Sequence, residues 1–399
     1  MKITQNNLFS RGMVAVLIAQ FISALADNAL LFAAIALLKT RIAPDWQTPL
    51  LQEFFVVAFI LLAPFVGPFA DTLPKGRVML VANGLKFLGA AAMLSGLHPL
   101  LAYGMVGIGA AAYSPAKYGI LSELVGADKL VKANSMMEGS TIVAILLGAV
   151  LGGLLADHSV SGALSAITAC YLLAAITNLF IPRLAPAHKL EHFSPKVLVS
   201  DFIQALRTLF NNPDARFSLI GSSVFWGAGS TLRFLLVAWV PIALHIADLS
   251  TAANLSGAVA IGIAFGAFGA AKFVSLKTIN RALPAGILIG ALIMAFAFVH
   301  NLYLAILMLI IMGACGGFYV VPLNALLQER GHESVGSGHA IAVQNFFENF
   351  CMLMMIGFYT LLYRNHTPVI ISTVAVGALV LFCISLLAYF RLKTNNRSL

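Results

Sequence analysis

Residues 54–97 read FFVVAFILLAPFVGPFADTLPKGRVMLVANGLKFLGAAAMLSGL. Phe54 to Ala70 carries no charged side chain, Asp71, Lys75 and Arg77 follow within seven residues, and Lys86 is the sole charge from Val78 to Leu97. A bilayer crossing takes roughly 20 apolar residues. The stretch therefore reads as two crossings, near 53–70 and 78–97, joined by a tight charged turn. Outward from it the pattern recurs near 13–38, 101–121, 134–156 and 161–182, and again near 217–244, 252–275, 284–299, 302–327, 338–362 and 368–390. Composition agrees: of 399 residues 60% are hydrophobic and 10% charged, with mean hydropathy +0.94, against about 25% charged in an average soluble domain. Secreted domains, single-span receptors and cytosolic enzymes are excluded. Cys170, Cys315, Cys351 and Cys383 fall in apolar runs without CxxC or Cys/His spacing, so neither a metal site nor a disulfide framework is expected.

The spans divide six and six. Residues 183–216 carry Lys189, Glu191, Lys196, Asp201, Arg207 and Asp214 with three prolines, which no spanning segment tolerates. The expected organisation is an N-terminal six-helix bundle over 1–182, a linker over 183–216 with an amphipathic surface helix near 203–210, and a C-terminal bundle over 217–399. Eighteen Lys and Arg fall on the side of the termini and linker, against Lys39, Arg41 and Arg364 on the other, with Lys86, Lys117 and Arg233 inside spans. The positive-inside bias then puts both termini in the cytoplasm, and the net charge of +9 records topology instead of nucleic-acid binding. Ala24-Leu25-Ala26 after a basic start resembles a signal-peptide cleavage site. The apolar run, however, continues to Leu38, and the twelve-span count needs the whole segment.

The halves look duplicated. Pro115 in Tyr113-Ser-Pro-Ala-Lys117 lies 207 residues before Pro322 in Val320-Val-Pro-Leu-Asn324, which aligns Lys117 with Asn324. To within one residue the same offset sets Asp27 beside Arg233 and Lys75 beside Arg281. In a two-bundle transporter such helices face a central cavity.

Ionisable residues inside spans cost about 2.5 to 3.5 kcal/mol at the bilayer centre on insertion scales and mark function by default. Asp27 and Arg233 either pair with each other or bind the two poles of a zwitterionic ligand; a permanent structural pair is the competing account. Lys117 binds phosphate or snorkels to the interface. Lys86, nine residues past Arg77, is expected to snorkel and stays outside the site. Glu348 shares a helix face with Gln344, with Asn345 and Asn349 beside it, a stripe suited to an ammonium group or to inter-helix hydrogen bonds. Glu138 in the fifth span is open to either account. No Gly-x4-Gly-Lys-Ser/Thr and no His-x4-Asp occurs, so neither ATP-driven pumping nor acyl transfer has candidate residues. No cofactor is called for.

Gly67-Pro-Phe-Ala-Asp71-Thr-Leu-Pro-Lys75-Gly76-Arg77 resembles the loop signature of the major facilitator superfamily, and Gly148-Ala-Val-Leu-Gly152-Gly153 its glycine-rich fifth-span motif. The runs Ala26-Asp27-Asn28-Ala29-Leu30-Leu31-Phe32, Ala112–Leu121, Leu232–Leu236 and Pro322–Arg330 resemble the bacterial lysophospholipid transporters within it. The resemblance implies an all-helical fold of two pseudo-symmetric bundles in a bacterial inner membrane, with Gly67, Asp71, Lys75 and Arg77 in a conformational role. It implies lysophosphatidylethanolamine and related lysolipids as cargo, membrane lipids as surroundings, and a cytoplasmic-side acyltransferase as functional partner. Asp27, Asn28, Lys117, Glu138, Arg233, Asn324, Gln344 and Glu348 are the candidate cargo residues. A proton-coupled exporter of amphiphilic drugs, with Asp27 or Glu348 titrating, is the alternative.

Overall fold

In hydrocarbon every backbone N–H and C=O must bond within its own segment, which leaves helices as the economical way to cross. The computed structural model, described here for residues 9–125, 127–182 and 194–395, is built of helices with no strand among those residues. They are α1 (Arg11–Thr40), α2 (Gln47–Thr72), α3 (Lys75–Leu94), α4 (Pro99–Leu124), α5 (Ala127–His158), α6 (Val160–Asn178), α7 (Pro195–Asn211), α8 (Pro213–Ala243), α9 (Leu249–Phe273), α10 (Leu283–Phe296), α11 (Leu302–Ser334), α12 (Ser337–Arg364) and α13 (Val369–Asn395), with a 3-10 turn at Leu276–Ala282. Eleven are long and apolar enough to cross a membrane. α4 is not among them, its hydropathy being diluted by Tyr113-Ser-Pro-Ala-Lys117. The helices overrun the apolar runs, α11 continuing to Ser334, because backbone bonding persists where the chain becomes charged.

Their starts follow local chemistry. Asn212 Oδ1 accepts from the amides of Asp214 and Ala215, with Pro213 opening α8. Asn301 does the same for Tyr303 and Leu304 at α11. Each cap satisfies donors that no helical carbonyl reaches. The linker helix α7 is longer than the expected 203–210 and buries Leu198, Phe202, Ala205 and Leu209 on one face.

The described chain forms two compact units, one of α1, α2 from Phe54 onward, and α3 to α6 with the linker to Ile203, the other of Gln204 onward together with Ala43–Glu53. Within the first, α1 packs on α5 and α6, and α3 on α4 and α6; within the second, α8 packs on α12 and α13, and α10 on α11 and α13. The pairings repeat in order, as duplicated halves would. Glycines set the closest crossings. A Cβ on Gly152 would stand 2.6 Å from Ala29 Cα and one on Gly107 2.6 Å from the Phe55 carbonyl oxygen. In the second unit Gly262, Gly266, Gly313 and Gly317 bring α9 and α11 into backbone contact, the small-residue interface of membrane helices. There too the Thr360 hydroxyl donates to Glu53 Oε1 at 2.9 Å and the Arg364 guanidinium lies over the Trp46 ring.

Candidate functional site

In the first unit, Gln20, Ser23 and Asp27 recur at three- and four-residue spacing on α1, and Ser23 and Asp27 meet Asn83 and Lys86, three apart on α3. Lys86 Nζ stands 2.7 Å from Asp27 Oδ2 and donates to Ser23 Oγ at 3.0 Å. Ser23 donates in turn to Asn83 Oδ1 at 2.8 Å, and the Tyr171 hydroxyl of α6 donates to Asp27 Oδ1 at 2.8 Å. The Lys86 ammonium also lies 4.9 Å from the Tyr113 ring centroid. Gln20 Nε2 reaches Thr141 Oγ1 on α5 at 2.9 Å. Gly109 makes room for this, since a Cβ there would stand 2.8 Å from Lys86 Cγ.

Lys86 is thus not a snorkelling residue. Its side chain is 2% exposed and ion-paired, whereas Asp27 is 23% exposed. A stem directed toward the interface would leave Asp27 without its cation; burial is tolerated because three polar and aromatic groups surround the ammonium. Tyr171 and Ser23, also absent from the expected set, are legible only as polar residues in apolar runs. Asn28 bonds the Ala24 carbonyl of its own helix at 2.9 Å.

In the second unit, Gln344 Nε2 donates to Glu348 Oε1 at 2.8 Å and to Asn324 Oδ1 at 3.0 Å. Glu348 is buried. The i, i+4 stripe therefore forms, joined by Asn324 from α11. Asn349 instead bonds the Asn345 carbonyl. Arg233 is half-buried on α8. Lys117, on α4, is buried, with Nζ 4.3 Å from the Tyr118 ring centroid. The side chains of Glu138 and Asp71 lie outside the described residues.

The signature around Asp71 differs from the expected loop. Gly67 and Asp71 belong to α2, and Lys75, Gly76 and Arg77 to α3, so the connection is Leu73-Pro74 alone. Lys75 is buried against Glu123 at the end of α4, its stem crossing Gly119, while Arg77 is exposed. Within the first unit the side chains of α1, α3 and α6 thus gather a carboxylate, an ammonium and a phenol, and within the second those of α11 and α12 gather a carboxyl and two amides; the described residues hold no cluster of metal-ligating side chains.

The family model for the Major Facilitator Superfamily matches residues 16–356. Lysophospholipid transporters LplT of Yersinia pestis (strain Pestoides F) and Yersinia pseudotuberculosis serotype O:3 (strain YPIII) are each 57% identical over 363 residues, 91% of this chain and 89% of theirs. Among solved structures, a POT family transporter in complex with 5-aminolevulinic acid aligns with TM-score 0.77 at 13% identity, over 98% of this chain and 99% of its own. The nucleoside transporter NupG aligns with TM-score 0.73 at 14% identity, over 96% and 99%. At such identities the structural likeness concerns the fold alone. With a matching model over most of its length and relatives this similar, the chain belongs to the Major Facilitator Superfamily.

Proposed function

We propose that this protein moves lysophospholipids, lysophosphatidylethanolamine and related glycerophospholipids among them, across a bacterial inner membrane to the cytoplasmic leaflet. The observation that carries the reading is 57% identity, over nine-tenths of the chain, to transporters named for that cargo. A lysolipid has one acyl chain and a polar head, and carrying the head through about 30 Å of hydrocarbon is the slow step. Replacing the water around its charges lowers that barrier.

Asp27 is the group for the ammonium pole. Lys86 is its ion-pair partner, and Tyr171 and Lys86 take one lone pair on each oxygen. A carboxylate accepts about four hydrogen bonds, so a head-group ammonium adds to the pair without displacing Lys86. Arg233 is the group for phosphate, its planar fork matching two oxygens, with Lys117 as a further point charge. Glu348, Gln344 and Asn324 offer acceptors and an amide to the glycerol hydroxyl, with Glu138 and Asn28 as further candidates. Gly67, Asp71, Lys75 and Arg77 act in conformational change without touching cargo. Both termini lie in the cytoplasm, and a lysophospholipid acyltransferase on that side consumes the product and keeps net movement inward.

The test is uptake of labelled lysophosphatidylethanolamine in spheroplasts without an endogenous transporter, comparing the intact protein with Asp27→Asn and Arg233→Ala at matched membrane levels. Uptake that both variants lose supports cargo and site together. No uptake by the intact protein, in cells able to reacylate lysolipid, overturns the reading in favour of drug export.

A further inference from the structure

Lys272 ends an apolar stripe on α9. Ile261, Phe265 and Phe268 are exposed at i, i+4 and i+7, Phe268 at 80%, and Lys272 follows at i+11 on the same face. Its ammonium lies 5.5 Å from the centroid of the exposed Phe273 ring. The 3-10 turn then folds back, and Arg281 Nη1 donates to the Phe273 carbonyl oxygen at 3.4 Å. An ammonium, a guanidinium and an aromatic ring thus gather at the foot of a lipid-facing stripe.

The described acids near this corner are paired elsewhere. Arg391 approaches the same turn, its Nε 3.4 Å from Asn280 Oδ1, and brings Asp214, whose two oxygens are taken by Arg391 and Arg330. Glu333 is paired with Arg330. Among the described residues no ion pair joins Lys272 or Arg281 to a carboxylate. Lys75, a cation expected on the same membrane side, is by contrast buried on Glu123. A topological bias accounts for cations at this end. It does not account for two of them left without acid around an exposed ring.

We propose that Lys272, Phe273 and Arg281 bind the phosphate of an anionic diacyl phospholipid of the surrounding bilayer, one acyl chain lying along Ile261, Phe265 and Phe268. The guanidinium grips two phosphate oxygens and the ammonium a third. The ring sits at head-group depth, where aromatic side chains concentrate. The site is independent of the cargo and lies wholly within the second unit.

The test is native mass spectrometry of the purified protein in detergent, titrated with phosphatidylglycerol or phosphatidylcholine. The intact protein is compared with Lys272→Gln, with Lys272→Gln/Arg281→Gln, and with Lys393→Gln, a cation at the same end beside Tyr389. The intact protein retains phosphatidylglycerol in preference to phosphatidylcholine. Each cation removed from the corner weakens phosphatidylglycerol about fivefold, while Lys393→Gln changes it less than twofold. Unaltered thermal unfolding of the double variant shows that the site, not the fold, is lost. Undiminished retention by the double variant overturns the proposal, as does an equal loss in Lys393→Gln, which would mean bulk surface charge. Equal competition by lysophosphatidylglycerol also overturns it, since the occupant would then be cargo.

Discussion

Lys86 on α3 and Asp27 on α1 form an ion pair at 2.7 Å in which the cation is almost wholly enclosed and the carboxylate is not. The asymmetry assigns the roles: Lys86 anchors the pair, and Asp27 is the partner that remains accessible. Removing one partner of a buried pair costs about 3 to 5 kcal/mol, whereas replacing both with neutral groups of similar volume is often tolerated. Lys86→Met and Asp27→Asn should each lower the thermal midpoint in detergent. The double variant should recover most of it while still failing to transport. Recovery of uptake along with stability would remove Asp27 from cargo binding.

Glu348 accepts from the neutral amide of Gln344. Glu348→Gln keeps the shape and an acceptor for the glycerol hydroxyl, whereas Glu348→Leu removes the acceptor. Uptake of a lysolipid should fall less than threefold in the first and at least tenfold in the second. Unchanged uptake by Glu348→Leu would limit Glu348 to packing.

Gly266 lies against the Ala314 carbonyl with no space for a side chain, whereas a Cβ on Gly84 meets nothing within 4 Å. Gly266→Val should separate α9 from α11 and abolish folded protein, measured as monodisperse yield. Gly84→Ala should be neutral or add up to about 1 kcal/mol, because alanine loses less backbone freedom in a helix.

Asp214 ties α8 to α11 and α13 through Arg330 and Arg391. Asp214→Asn should cost roughly 1 to 2 kcal/mol, partial solvent exposure holding it below the range for charged hydrogen bonds. Single Arg391→Gln and Arg330→Gln changes should be non-additive with it in a double-mutant cycle.

Asp248, between α8 and α9, caps α9. Against partial desolvation, hydrogen bonds from Thr251 and Ser250 hold its carboxyl below the ordinary value. Its folded-state pKa is depressed, so its contribution is present at neutral pH and lost as pH falls below about 4. Thermal midpoints of the intact protein and Asp248→Ala should converge in that range.

The spans and the Gln344–Glu348 stripe were legible because each depends on local composition or on helical spacing. The partner of Asp27 was not. Lys86 lies 59 residues away, and its depth within a span suits snorkelling and burial equally. The partner of Lys75 is likewise distant: Gly119 admits its stem and Glu123, 48 residues away, meets its ammonium.

By itself the sequence determined that this chain is a multi-helix membrane protein with repeated halves, because hydrocarbon imposes run length and helical bonding on each segment separately. Tertiary structure alone decided which buried charges meet, which glycines carry helix crossings and which cations remain at the surface. Those outcomes depend on the rotation of each helix about its axis, and that rotation is set by packing against neighbours distant in the chain.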